Sequence, residues 1–257
     1  MDTDWRYCYI MPAYLGFRSA KRTVVPPTYV GVGTAASGTV NCTPTLPAGI
    51  ATSDILVILI EFNASAVPTA SGYSALGNSY PNPPLKNTQD DTNVYVLWKR
   101  ATSSESNPTV SFPGGTAVDH VLARIIAIRG CPYFGNPYDT VTQGDGFFSI
   151  GPGAGGCTIG CQTVTTAVQN CLIVNLLTIQ STNALAVTSG PTNAVLSSFS
   201  EVATFSTGSG NTGLARVAIG LKVSAGATGR TDWRATNTSG TGVMAAYKTI
   251  AFKPDGT

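Results

Sequence analysis

Charge is scarce in this chain. Lys, Arg, Asp and Glu make up 11% of the 257 residues, less than half the roughly 25% of an ordinary soluble domain. The charges nearly cancel, leaving +2, so no strong basic field exists to make nucleic acid or an anionic membrane the main partner. Histidine is almost absent, with His120 standing alone. No apolar run approaches the roughly 18 residues of a membrane span. Apolar spacing of helical period is missing, which excludes a helical bundle. The opening "MDTDWRYCYIMPAYLGFR" has Asp2 and Asp4 in place of a basic start, and Pro12, Gly16 and Arg18 interrupt it. That is not the pattern of a secretory signal, and the chain is expected to fold where it is made.

Catalytic signatures are missing as well. Neither a G-x-S-x-G elbow nor a phosphate-binding glycine loop occurs. The stretch "GDGFFSIGPGAGGC" (144–157) matches neither glycine fingerprint and reads as a flexible connection between two halves. Asp119 adjoins the lone histidine, but neighbours on a strand point to opposite faces, so no Asp119–His120 dyad is expected. Asp90-Asp91 sits in the loop-like "PPLKNTQDDTN" without the ligand spacing of an EF-hand calcium loop. It also lacks the arrangement of two acids flanking a cleft for glycoside cleavage. The expectation is a non-enzyme with no catalytic residue, no cofactor and no metal.

Apolar residues, glycine and proline are plentiful. A 43% hydrophobic content can bury a core, and the 28 Gly and 16 Pro imply many turns. The six cysteines are Cys8, Cys42, Cys131, Cys157, Cys161 and Cys171, too few for a disulfide scaffold at this length. The spacing "CTIGC" (157–161) would need two further ligands to hold zinc, and some of the thiols suit small buried hydrophobes. All six stand as disulfide candidates, with Cys8 the candidate for a bond between chains.

From Thr28 onward the chain reads as strands. "ILVILIEF" (55–62), "NVYVLWKRA" (93–101), "PTVSFP" (108–113) and "VLARIIAIRG" (121–130) are β-branched or aromatic and are bounded by turn residues. "CLIVNLLTI" (171–179), "NAVLSSFSEV" (193–202), "LARVAIGLKV" (214–223), "RTDWRAT" (230–236) and "MAAYKTIAF" (244–252) continue the style. The turn Pro47-Ala48-Gly49 precedes the first run, and Ser53-Asp54 closes it through side chain to backbone bonds, so Asp54 is a turn residue. Alternation at Val94, Val96 and Trp98 suits one buried face, whereas the unbroken runs near 55 and 171 suit central strands.

The two sets align. "TLPAGIATSDILVILI" answers to "TTAVQNCLIVNLLTI", "SGYSAL" to "SGPTNAVL", "VYVLWKRATSSESNPTVSF" to "RVAIGLKVSAGATGRTDWRA" and "VLARIIAIRG" to "MAAYKTIAFK". The expected fold is an all-β antiparallel sandwich, jelly-roll-like, over residues 28–257, built from pseudo-repeats at about 28–140 and 160–253. An extended arm, residues 1–27, precedes it. Trp5, Tyr7, Tyr9, Tyr14, Phe17 and Arg18 suit a docking element, because aromatics and Arg are favoured interface anchors; the alternative is an N-terminal strand lying on the sandwich.

The cadence of "TVNCTPTLPAGIATSDILVILI", "SGYSAL", "NVYVLWKRAT", "TVSF", "VLARIIAIRG" and "NPYDT" resembles the β-sandwich structural proteins of tailed-bacteriophage virions. Ser53-Asp54 stands where that family often has Gly-Asp, and Gly72-Tyr73 where it often has Gly-Trp. Arg129-Gly130 and Asn136-Pro137-Tyr138-Asp139 match its closing element. The resemblance covers most of residues 30–252 and is weaker in the second half. It implies a virion component: a capsid decoration or linking protein, or a neck or tail fibre subunit, assembled in the bacterial host cytoplasm. Its partners would be the major capsid protein or other virion proteins and further copies of itself, a trimer being the natural form. The alternative is a carbohydrate-binding or adhesin module that uses Trp98 or Trp233 as a sugar platform.

Overall fold

The structure is a computed structural model that describes residues 24–64, 66–77, 92–115, 118–141, 148–150, 157–181, 185–207, 212–237 and 243–256. Its first half contains β1 (Thr28–Val32), β2 (Ala36–Gly38), β3 (Asn41–Cys42), β4 (Ile55–Asn63), β5 (Thr69–Ala70), β6 (Ser74–Ala75), β7 (Asn93–Arg100), β8 (Val110–Ser111) and β9 (His120–Arg129). The second half contains β10 (Tyr138–Val141), β11 (Phe148–Ile150), β12 (Cys157–Cys161), β13 (Thr165–Thr166), β14 (Cys171–Ser181) and β15 (Leu185–Thr192). It continues with β16 (Ser197–Ser206), β17 (Thr212–Lys222), β18 (Gly226–Ala227), β19 (Thr231–Asn237) and β20 (Val243–Phe252). A single 3₁₀ turn, Pro113–Gly115, is the only helical element among the described residues. The protein is an all-β, antiparallel sandwich.

Both halves are wired alike. One large sheet runs β1-β9-β4-β7-β6 with β2 also on β9, and the other runs β10-β20-β14-β17-β16 with β11 also on β20. Each has a small companion sheet, β3-β8-β5 in the first half and β12-β19-β15 in the second, and the second half adds the pair β13-β18. The segments that align in sequence therefore fall on strands in matching places. In the registers, Leu59 of β4 lies opposite Arg124 of β9, and Leu176 of β14 lies opposite Lys248 of β20. Even the turns correspond, since Ser53 (φ 76) and Asn170 (φ 60) both take the left-handed conformation just before the long central strands.

The two large sheets face each other across one apolar seam. Ile55, Val57 and Leu59 from β4 meet Leu172, Val174 and Leu176 from β14, with Val96, Val217, Ile126 and Ile250 beside them. β17 packs on β4 and β9, and reciprocally β7 packs on β14 and β20. That exchange of equivalent contacts is the pattern of an isologous, two-fold interface.

The opposite face of each large sheet is covered by its small sheet. Leu56, Ile58, Ile60 and Phe62 pack with Cys42, Ala70, Val110 and Phe112, while Leu177 and Ile179 pack with Ile159, Trp233 and Ala235. This explains the unbroken apolar run. β4 is buried on both faces from Ile55 to Asn63, so alternation has no polar side to express. Each of its fully buried aliphatic side chains contributes roughly 1.5–3 kcal/mol.

The turn before β4 is held from outside as well as by its own residues. Asp54 accepts from the Ala51 amide at 2.8 Å and takes two 2.8 Å bonds from Arg129 Nε and Nη2 at the end of β9. A separate link joins the two halves. Arg124 donates to the Gly33 carbonyl at 2.8 Å and to the Thr204 carbonyl of β16 at 3.0 Å, and it lies 5.6 Å from the centre of the Phe205 ring.

Two sequence expectations are corrected, and a segment given no element by the sequence proves to be a strand. The connection expected over 144–157 contains a strand, because Phe148–Ile150 pairs with β20. "CTIGC" is strand β12, paired residue for residue with β19. The strand expected from 193 starts at Ser197, because Asn193 instead turns back to bond the amides of Val195 and Leu196 at 2.8 and 3.0 Å. Of the arm, residues 1–23 lie outside the described residues. Its last part is irregular chain whose Val24 carbonyl accepts from Asn170 Nδ2.

Candidate functional site

At one end of the seam the apolar lining gives way to a polar knot. Glu61 follows the aliphatic run on β4 and falls on the same face as Ile55, Val57 and Leu59, so β4 carries a carboxylate into the space between the halves. It is fully buried. Its Oε1 accepts from Thr92 Oγ1 at 2.8 Å and from His120 Nε2 at 3.0 Å. The other ring nitrogen, Nδ1, lies 2.9 Å from Asp119 Oδ2. Asp119 and His120 thus bond directly, contrary to the alternation argument. The reason is that Asp119 sits in the bend before β9, where strand alternation does not apply.

The second half closes over this knot. Gly213 at the start of β17 presses its backbone on Glu61 and His120, so that a Cβ there would overlap the carboxylate. Glu61 Oε2, on that side, has no hydrogen-bond partner among the described residues. Thr207 and Gly213 bond each other, amide to carbonyl at 3.0 Å and amide to hydroxyl at 3.0 Å. A cleft of about 80 Å³ remains, lined by Ser37, Gly38, Thr39, Asp119, His120 and Thr207.

Burial alone would depress the His120 pKa, but the hydrogen bonds and charges of Glu61, then Asp119, outweigh it and raise it to about 9. At neutral pH the ring is therefore an imidazolium donating to both carboxylates. Neither nitrogen is left for the hydroxyls of Ser37, Thr39 or Thr207, so the cleft lacks the nucleophile and base contact that acyl-transfer chemistry needs. Among the described residues no three His, Cys, Asp or Glu are grouped so as to hold a metal ion. Sequence reasoning missed Glu61. The available signal was a carboxylate inside an otherwise unbroken apolar strand, in a chain with a single histidine.

The other sequence-derived residues are dispersed. Trp5, Tyr7, Tyr9, Tyr14, Phe17, Arg18 and Cys8 lie outside the described residues, as do Asp90, Asp91 and the side chain of Cys157. Cys42, Cys131, Cys161 and Cys171 carry free, buried thiols, which corrects the disulfide expectation for these four. The physical reason is placement. Cys42 belongs to the first small sheet and packs against the first large sheet, Cys131 lies in the seam, Cys161 belongs to the second small sheet and packs against the second large sheet, and Cys171 lies in a fourth apolar cluster. Burial pushes the thiols of Cys42, Cys131 and Cys171 up to about 12 and that of Cys161 well above its usual value. Cys161 donates to the Leu176 carbonyl at 3.6 Å. Trp233 is fully buried among Ile159, Leu177 and Tyr247, and Trp98 is partly buried against the seam. Among the described residues the exposed aromatics are instead Tyr133 (59%) and Phe134 (84%), stacked edge to face at 5.5 Å in the loop between β9 and β10.

No family model and no curated protein matches the chain. Two solved structures show a faint likeness. One, of the infectious bursal disease virus Gt strain, is 14% identical with a TM-score of 0.17, and the match covers 91% of this chain and 66% of that one. The other, of the Gx strain of the same virus, is 10% identical with a TM-score of 0.17 and coverages of 91% and 81%. A TM-score this low establishes no shared fold.

Proposed function

We propose that the protein is a non-enzymatic structural component of a bacteriophage virion: a capsid decoration or linking protein that docks through residues 1–27 on the major capsid protein or a neighbouring virion protein. The observation that carries this reading is the strand order. In each half the first, last, fourth and seventh strands of the common set lie side by side (β1-β9-β4-β7; β10-β20-β14-β17). The third, eighth and fifth face them (β3-β8-β5; β12-β19-β15). We read this as a jelly roll in duplicate, the double-sheet architecture of viral capsid and lectin domains.

Fold alone does not assign a role. The low charge of the chain suits a surface largely covered by neighbours in an assembly. A head location and homo-oligomers, trimers foremost, are the first form of the proposal, and a neck or tail fibre subunit is the second. The sugar-binding alternative draws on the same architecture, but Trp233 offers it no surface, being wholly inside.

Immunogold labelling of purified particles tests the reading. Gold over the head supports decoration, and gold confined to neck or tail supports a fibre subunit. Particles that carry no gold overturn the virion role. A chain lacking residues 1–23 should keep its β circular-dichroism spectrum and fail to join particles. Incorporation at the full level would remove the docking arm from the proposal.

A further inference from the structure

The polar knot lies where the halves close on each other, and its charges are not interchangeable. The groups facing the His120 ring are Glu61 from β4, Asp119 from the bend before β9, and the uncharged Thr207 and Gly213 from the second half. Thr92, leading into β7, bonds Glu61 and adds no charge. The nearest cation on β9, Arg124, is engaged with the Gly33 and Thr204 carbonyls. Among the described residues, then, the Glu61 carboxylate in the seam has one cation for a partner. A buried carboxylate whose counter-ion vanishes carries a large desolvation penalty.

We propose that His120 is a proton-controlled catch between the two halves. Protonated, it compensates Glu61 and lets the β16–β17 end settle on the knot. Deprotonated, it leaves the carboxylate facing Gly213 without a charge partner, and that end of the seam loosens while the central apolar seam holds.

The direction follows from linkage. The folded-state value of about 9 lies above the unfolded value of roughly 6.5. The contribution is therefore fully present below about pH 6.5, declines above it, and is gone once the pH has risen through the folded value.

His120 is the only histidine, so its imidazole resonances in the full chain report one group without ambiguity. The expected result is a titration near pH 9, with the amide signals of Thr207 and Gly213 shifting along the same curve. A titration near the ordinary histidine value overturns the proposal, and so does a high one that leaves both amides unmoved. In Glu61→Gln the histidine midpoint should fall by more than one unit. The melting temperature of the natural chain should drop between pH 6.5 and 9.5 by roughly 5–10 °C more than that of His120→Gln. Parallel melting curves for the two would count against the catch. The titration of the natural chain decides the matter even where a variant does not fold.

Discussion

The backbone of Gly213 rests on the carboxylate of Glu61, and a Cβ at that position would also come within 2.9 Å of His120 Nε2. The two residues belong to different halves of the chain, so the contact measures how closely the halves approach. It also explains why a glycine stands second in β17, after Thr212.

Gly213→Ala should therefore destabilise the protein. The methyl group has no room unless the buried acid moves, and overpacking of this kind costs about 1–3 kcal/mol. Gly190 of β15 is the control, because a Cβ there meets nothing within 4 Å. Gly190→Ala should be neutral or stabilising by about 0.5 kcal/mol. Urea denaturation of the two variants separates the cases, and equal losses would refute the close approach at Gly213.

Ser53 holds φ at 76 in the turn before β4. A left-handed residue other than glycine costs roughly 1–2 kcal/mol, and glycine returns about 0.5–1 kcal/mol of that through its greater loss of freedom on folding. Ser53→Gly should then stabilise by about 0.5–1 kcal/mol. Asn170→Gly should gain less or lose, because the Asn170 side-chain amide also bonds the Val24 carbonyl. Paired thermal melts read both differences.

The thiols give a test of burial that needs no mutation. Cys42, Cys131, Cys161 and Cys171 are buried and their ionisation is suppressed, and the thiolate is the reactive form. Treatment of the folded protein with iodoacetamide at pH 8 should leave all four unmodified by peptide mass mapping. In denaturant all four should react. Rapid labelling of any of them in the folded state would contradict its placement.

Trp233 separates core from platform. It is fully enclosed between the second small sheet and β14, so Trp233→Ala should cost about 3–5 kcal/mol. A glycan-array signal that disappeared with this substitution while the unfolding midpoint stayed fixed would favour the sugar-binding alternative.

Several elements are legible in the amino-acid sequence. The turn at 47–49 and the apolar residues after Asp54 mark β4, and the β-branched and aromatic runs near 93, 121, 171, 214 and 244 mark β7, β9, β14, β17 and β20. These signals are local, set by turn chemistry and side-chain shape. Strands β12 and β15 are not legible. "CTIGC" and "LAVTSGPT" carry small and polar residues, and both belong to the small outer sheet rather than to the two-sided core. Asp54 is readable as a turn residue, but its grip by Arg129, 75 positions away, is not.

The all-β class and the places of the central strands are written along the chain, because alternation, β-branching and Gly or Pro punctuation act over a few residues. Tertiary packing alone decides which small sheet covers the outer face of β4 and of β14, that each described thiol has its own apolar surroundings, and that Glu61 meets His120 across 59 positions. Those outcomes follow from packing two large sheets face to face. Packing brings distant residues into one low-dielectric space, where a carboxylate must find a cation, and no local pattern of residues announces that demand.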